Sequence, residues 1–113
     1  MKKIEAIIKP SKLSNVKDAL HEIGLSGMTV SDVKGFGRQR GQDGGLNTSP
    51  DYDDEFRVKI KIELIIEDKI VEKALEAIKN GAYSGKIGDG KIFISTIDQV
   101  IRIRTGEKDS DAV

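Results

Sequence analysis

The chain has no cysteine, no tryptophan, two prolines and one histidine among its 113 residues. Without cysteine there is neither a disulfide nor a thiolate metal site, which fits a reducing compartment. A dominant charge is missing too. Nineteen lysines and arginines balance nineteen aspartates and glutamates, so no global field draws the chain to nucleic acid or an anionic membrane, and any charge logic must be local. The opening MKKIEAII starts like a signal peptide, but Glu5 interrupts its apolar run and Pro10 ends it short of an h-region. No run is long enough to span a membrane. These absences predict a cytoplasmic chain. No nucleophile stands beside a base in the sequence, so no enzyme is expected. The lone His21 falls among lysines and acids on a predicted helix and reads as a solvated surface residue.

What is present reads as one soluble domain over residues 1–113: 37% hydrophobic and 34% charged residues leave room for a single core. That domain contains an internal repeat. KIEAII at 3–8 recurs as KIELII at 61–66, and VKDALHEI at 16–23 recurs as VEKALEAI at 71–78. The offsets, 58 and 55, differ by a shorter turn. Each half reads as β-α-β. Leu13, Val16, Leu20 and Ile23 share one face of a first helix, with Ser11 as N-cap and Gly24 as its stop. Val71, Ala74, Leu75 and Ile78 share one face of a second helix, running from about Asp68 to Asn80-Gly81. Val58, Ile60, Ile62 and Leu64 alternate with polar residues, as do Met28 and Val30, and a last strand covers Lys91 to Thr96. Two such halves predict an α+β, ferredoxin-like βαββαβ fold: a four-stranded antiparallel sheet with both helices on one face. AII and LII are apolar on both faces, so the open sheet face needs a cover, and another copy of the chain is the simplest one. A homo-oligomer is expected.

Two glycine-rich stretches carry chemistry. GKIGDGK at 85–91 matches phosphate-loop spacing as far as Lys91, but Ile92 stands where a magnesium-binding hydroxyl belongs, and a strand follows instead of a helix. A small phosphate-loop hydrolase, which would turn over ATP, is therefore the weaker alternative. Glycines 85, 88 and 90 still suit an anion-binding concavity, with a tight turn into the strand as the plainer alternative. Arg102 and Arg104, on one side of the alternating VIRIRT and without an acidic neighbour, favour bidentate capture of a polyphosphate. GFGRQRG at 35–41 is one residue off the dinucleotide fingerprint and no helix follows, so a Rossmann reading is rejected too. It reads as a close backbone approach to a ligand, with Arg38 and Arg40 as cations and Gln39 as an oxygen donor, or as a loop hinge.

KGFGRQRG, GKIGDGKIF, RIRTGE and the opening MKKIEAIIKP, in register from Met1 to about Glu107, resemble the PII nitrogen-regulatory signal-transduction family. The resemblance implies a homotrimer of ferredoxin-like subunits. ATP and ADP would compete in three inter-subunit clefts, and 2-oxoglutarate would bind beside Mg-ATP. It places Gly88, Asp89, Gly90 and Lys91 around the nucleotide phosphates, with Arg38, and with Arg102 and Arg104 from a neighbouring subunit. Thr29 and Glu63 fall at the adenine and ribose, Ile7 and Ile65 near the base, and Gly35 in the same nucleotide set. Gln39 would ligate magnesium, and Gln39, Arg40, the Gly41 N–H and Lys59 would hold 2-oxoglutarate. The protein would be a sensor that reports these effectors to a target by the shape of the loop between the halves.

That loop, a long flexible T-loop over 37–56, is where the likeness ends; residues 106–113 form a C-terminal tail. Tyr52 falls at the tyrosine that many members carry as a uridylylation site, while Ser49 matches the phosphorylated serine of some members only loosely. Asp43, Asp51, Asp53, Asp54 and Glu55 lie between Gly41 and Phe56, with no lysine or arginine. Members that block ammonium channels use a basic loop tip, so the resemblance argues against that partner here. The acidic loop reads as a solvated segment, as a docking surface for a basic target, or as a metal site at Asp51, Asp53 and Asp54, which lacks an EF-hand pattern.

Overall fold

The computed structural model describes residues 1–36 and 56–113. Six main elements follow in the order β1 (Lys2–Ile8), α1 (Leu13–Glu22), β2 (Thr29–Phe36), β3 (Phe56–Ile66), α2 (Val71–Ala82) and β4 (Lys91–Thr96). The strands form one antiparallel sheet in the order β2-β3-β1-β4, so the expected ferredoxin-like arrangement is present.

The repeat explains the centre of the sheet. β1 and β3 carry the two related strands and pair with each other, Ile4 opposite Leu64 and Ala6 opposite Ile62. Alternation sends Ile4, Ala6 and Ile8, with Ile60, Ile62, Leu64 and Ile66, to one face, where all are buried. Val16 and Leu20 of α1 and Ala74, Ile78 and Ala82 of α2 close over them. Each fully buried isoleucine or leucine contributes roughly 1.5–3 kcal/mol.

The other sheet face is more polar than the doubly apolar runs suggest. Glu5 stands directly opposite its repeat-mate Glu63, and like charges so placed repel. Lysines relieve the repulsion: Lys3 Nζ lies 3.1 Å from Glu63 and 3.5 Å from Glu5, and Lys61 Nζ lies 3.7 Å from Glu5. Hydrogen bonding to Glu63, aided by the charges of both acids, raises the Lys3 pKa.

Local details depart from the sequence reading. Ser11 does not cap α1; it sits inside a 3-10 turn, Pro10–Lys12, that leads into the helix, and proline at the head of that turn supplies its fixed φ. Gly24, at φ +91, ends the first helix as expected. The second helix does not stop at Asn80-Gly81 but continues to Ala82. Gly81 is needed there for contact, because a Cβ on it would lie 2.9 Å from Val16 Cα in α1. VIRIRT is not a strand. Ile101 makes an isolated bridge to Lys108, Arg102 N–H donates to the Glu107 carbonyl at 2.8 Å, and the chain turns back between them. The last residues are held as well: Asp109 N–H donates to the Val100 carbonyl at 2.8 Å, and the Asp109 carboxylate accepts from Val100 N–H.

Candidate functional site

The glycine loop between α2 and β4 takes its shape from three left-handed glycines, Gly85, Gly88 and Gly90. Gly90 is the tightest, with φ +101 and the Ile7 carbonyl oxygen where a side chain would begin. Its neighbour Lys91 opens β4 opposite Ile7. Lys59, expected to alternate outward from β3, is only 8% exposed, and its Nζ donates to the Gly88 carbonyl at 2.8 Å. The loop is thus tied to the strand that leaves the segment 37–55.

Asp89 turns its carboxylate back into the chain. It accepts from Ser84 N–H at 2.8 Å, from Gly85 N–H at 3.0 Å and from the Ser84 hydroxyl, while Lys9 Nζ lies 3.3 Å away. Burial works against the charge, but the Ser84 hydroxyl, the two backbone N–H groups and Lys9 outweigh it and hold the carboxyl well below the usual carboxylate range. Asp89 therefore shapes the loop through its side chain. In the cleft lined by Gly88, Gly90, Lys59 and Lys91, which Asp89 does not line, an anion would meet backbone and lysine.

A cleft of about 680 Å³ opens beside this loop. Ile7, Ile87 and Phe93 give it apolar walls, Lys59 and Lys91 cationic ones, and Gly35, Gly88 and Gly90 close backbone. Such a lining suits a ligand with a flat apolar part and an anionic part.

The expected site residues fall into separate groups. Ile7, Gly35, Lys59, Gly88, Gly90 and Lys91 line the one cleft. Thr29 and Glu63 are cross-strand partners on β2 and β3, with Ile65 further along β3 on the same face. Thr29 lies on one sheet edge and Lys91 on the other, three strand spacings or roughly 14 Å apart. Arg102 and Arg104 form a third group on the exposed C-terminal turn. Arg102 does have an acidic neighbour, contrary to the sequence reading: its Nε lies 3.8 Å from Glu107, and Nη2 donates to the Ala112 carbonyl. Arg38, Gln39, Arg40, Gly41, Ser49, Tyr52 and the acidic cluster lie outside the described residues. Sequence reasoning missed Lys9 and Ser84. The available signal was Asp89 itself, since a carboxylate in an anion-binding loop must be turned away or neutralised.

The sequence model of the family described as "Nitrogen regulatory protein P-II" matches residues 1–107. The chain belongs to this family. Proteins named nitrogen regulatory protein P-II from Rhodospirillum rubrum and Azospirillum brasilense are 59% and 56% identical to it, each over the full length of both chains. A crystal structure of Arabidopsis thaliana PII bound to citrate superposes with a TM-score of 0.82 at 39% identity, covering 99% of this chain and 91% of that one. These relatives are named as regulatory proteins of nitrogen metabolism. No helix among the described residues is long and apolar enough to cross a membrane.

Proposed function

We propose that this P-II protein is a homotrimeric effector sensor. It binds ATP or ADP in clefts between subunits, senses 2-oxoglutarate together with Mg-ATP, and controls target proteins of nitrogen metabolism through the loop at 37–56. The observation that carries the reading is the split of the site within one subunit. Gly88, Gly90 and Lys91 offer phosphate donors where β4 begins at one sheet edge, while Thr29 on the opposite edge strand and its partner Glu63 on the adjacent inner strand β3 offer polar groups for a base or ribose. One copy holds half a nucleotide site at each edge, so a neighbour completes both. Exposed Phe93 and Ile94 on β4, with Ile101 and Ile103 beyond it, supply apolar surface for that neighbour.

Lys59 connects the site to the loop. An ammonium group has three donors, so one nitrogen can hold the Gly88 carbonyl and also meet a carboxylate of 2-oxoglutarate. Citrate in the Arabidopsis relative is a carboxylate ligand of the same general kind. Magnesium would arrive with the nucleotide phosphates and Gln39, because the described residues include no group of three acids or histidines able to hold a metal.

Titration calorimetry tests the reading. ATP binds to a trimer, 2-oxoglutarate binds only with ATP and magnesium present, and Arg102→Ala weakens ATP. Absence of ATP binding overturns it. The five acids and absent basic residues between Gly41 and Phe56 favour a second reading, an adenylate sensor whose loop serves a carbon- or metal-transport target. Adenylate binding with no response to 2-oxoglutarate would select it.

A further inference from the structure

The polar cluster behind the glycine loop joins three chain segments. Lys9 follows β1, Ser84 follows α2, and Asp89 sits one residue before the most constrained glycine. Lys9 Nζ reaches both partners, Ser84 Oγ at 3.1 Å and Asp89 Oδ1 at 3.3 Å. Lys9 and Asp89 are 21% and 24% exposed, so the pair is partly withdrawn from solvent and is screened less than a surface pair. Ser84 links them through its hydroxyl and backbone N–H.

From this geometry we infer that Lys9 and Ser84 are positioning residues of the anion site: they fold the Asp89 carboxylate away from the cleft and neutralise it, so that a phosphate can approach the loop. The inference rests on the nucleotide reading above. It assigns to Lys9 a role without ligand contact, since Lys9 does not line the cleft on which Gly88, Gly90 and Lys91 open. The physical need is specific. A carboxylate beside a polyphosphate repels it more strongly as the ligand's charge rises. Lys9 cancels that repulsion while its hydrogen bonds fix the loop, and the Ser84 hydroxyl orients the same carboxylate.

Nucleotide affinities of Lys9→Met, Lys9→Arg, Ser84→Ala and the Lys9→Met/Asp89→Asn double variant test this, together with amide hydrogen exchange over 84–90 without nucleotide. Lys9→Met is expected to weaken ATP about tenfold or more, the scale of one charge-assisted hydrogen bond. AMP, with less charge, should lose markedly less. Lys9→Arg should recover most of the affinity, and adding Asp89→Asn to Lys9→Met should restore part of it, because the uncompensated charge is gone. Exchange over 84–90 should accelerate in Lys9→Met and, less strongly, in Ser84→Ala. Unchanged ATP affinity in Lys9→Met, or equal losses for ATP and AMP with no recovery in the double variant, overturns the inference. If the unmodified protein binds no nucleotide, the preceding reading fails. The clasp then stands or falls on exchange alone, and unaccelerated exchange in Lys9→Met overturns it.

Discussion

A Cβ atom on Gly90 would stand 1.6 Å from the carbonyl oxygen of Ile7, on backbone that cannot retreat without unpairing β1 from β4. The position also has φ +101, which disfavours every other residue type. Gly90→Ala therefore combines strain with collision. It should lower stability by about 3 kcal/mol or more, at the upper end for single substitutions. Urea unfolding at fixed protein concentration measures this, and loss of ATP binding should accompany it. A variant that keeps both would show that the loop is free to shift.

The Asp89 carboxyl predicts a pH dependence. Its pKa is depressed in the folded chain, so its contribution is fully present above the ordinary carboxylate value near 4 and is lost as pH falls through the lower folded value. Asp89→Asn keeps the shape but gives up the charge. At neutral pH it should cost about 1–3 kcal/mol. The gap to the unmodified protein should shrink on acidification below about pH 4. Unfolding measured at pH 7 and again at pH 3 decides; a gap that widens in acid would refute the assignment.

Gly81 packs against Val16 where the two helices meet. An added methyl would lie 2.9 Å from Val16 Cα and 3.0 Å from its nitrogen, both backbone atoms. Helix propensity alone favours alanine over glycine by up to about 1 kcal/mol. Overpacking opposes this by roughly 1–3 kcal/mol. The contact should win, so Gly81→Ala is expected to lower the unfolding midpoint rather than raise it.

Gly81 also marks the boundary of what the sequence made legible. Periodicity and the repeat were sufficient for the strands, the helix faces and the sheet, because Ile4, Leu64, Val16 and Ile78 each obey a local pattern that the core then uses. Asn80-Gly81 obeys a local pattern as well, that of a helix stop, but a contact 65 residues away in Val16 overrides it. Lys59 shows the same limit at the site. Alternation sends it outward among Lys61 and Glu63, yet the glycine loop folds over it. Motif spacing identified that loop, but nothing in the spacing pointed to Lys9, which comes from the start of the chain.

Lys59 gives the prediction that bears most directly on signalling. Its amine holds the Gly88 carbonyl, and its strand begins at Phe56, directly after the segment 37–55. A ligand carboxylate that competes for this amine would change how the glycine loop and the strand are joined, which is a differential interaction of the kind a switch requires. Lys59→Met keeps an apolar stem of similar length and removes the donor. ATP should bind about tenfold more weakly, the lower end of what a charge-assisted hydrogen bond contributes. On the proposed reading the effect on 2-oxoglutarate should be larger, because that ligand would lose a contact of its own as well as the ordered loop. Calorimetry with ATP and magnesium, then with 2-oxoglutarate added, separates the two losses. If Lys59→Met retains full 2-oxoglutarate binding, the amine serves the loop alone and the switch must lie elsewhere.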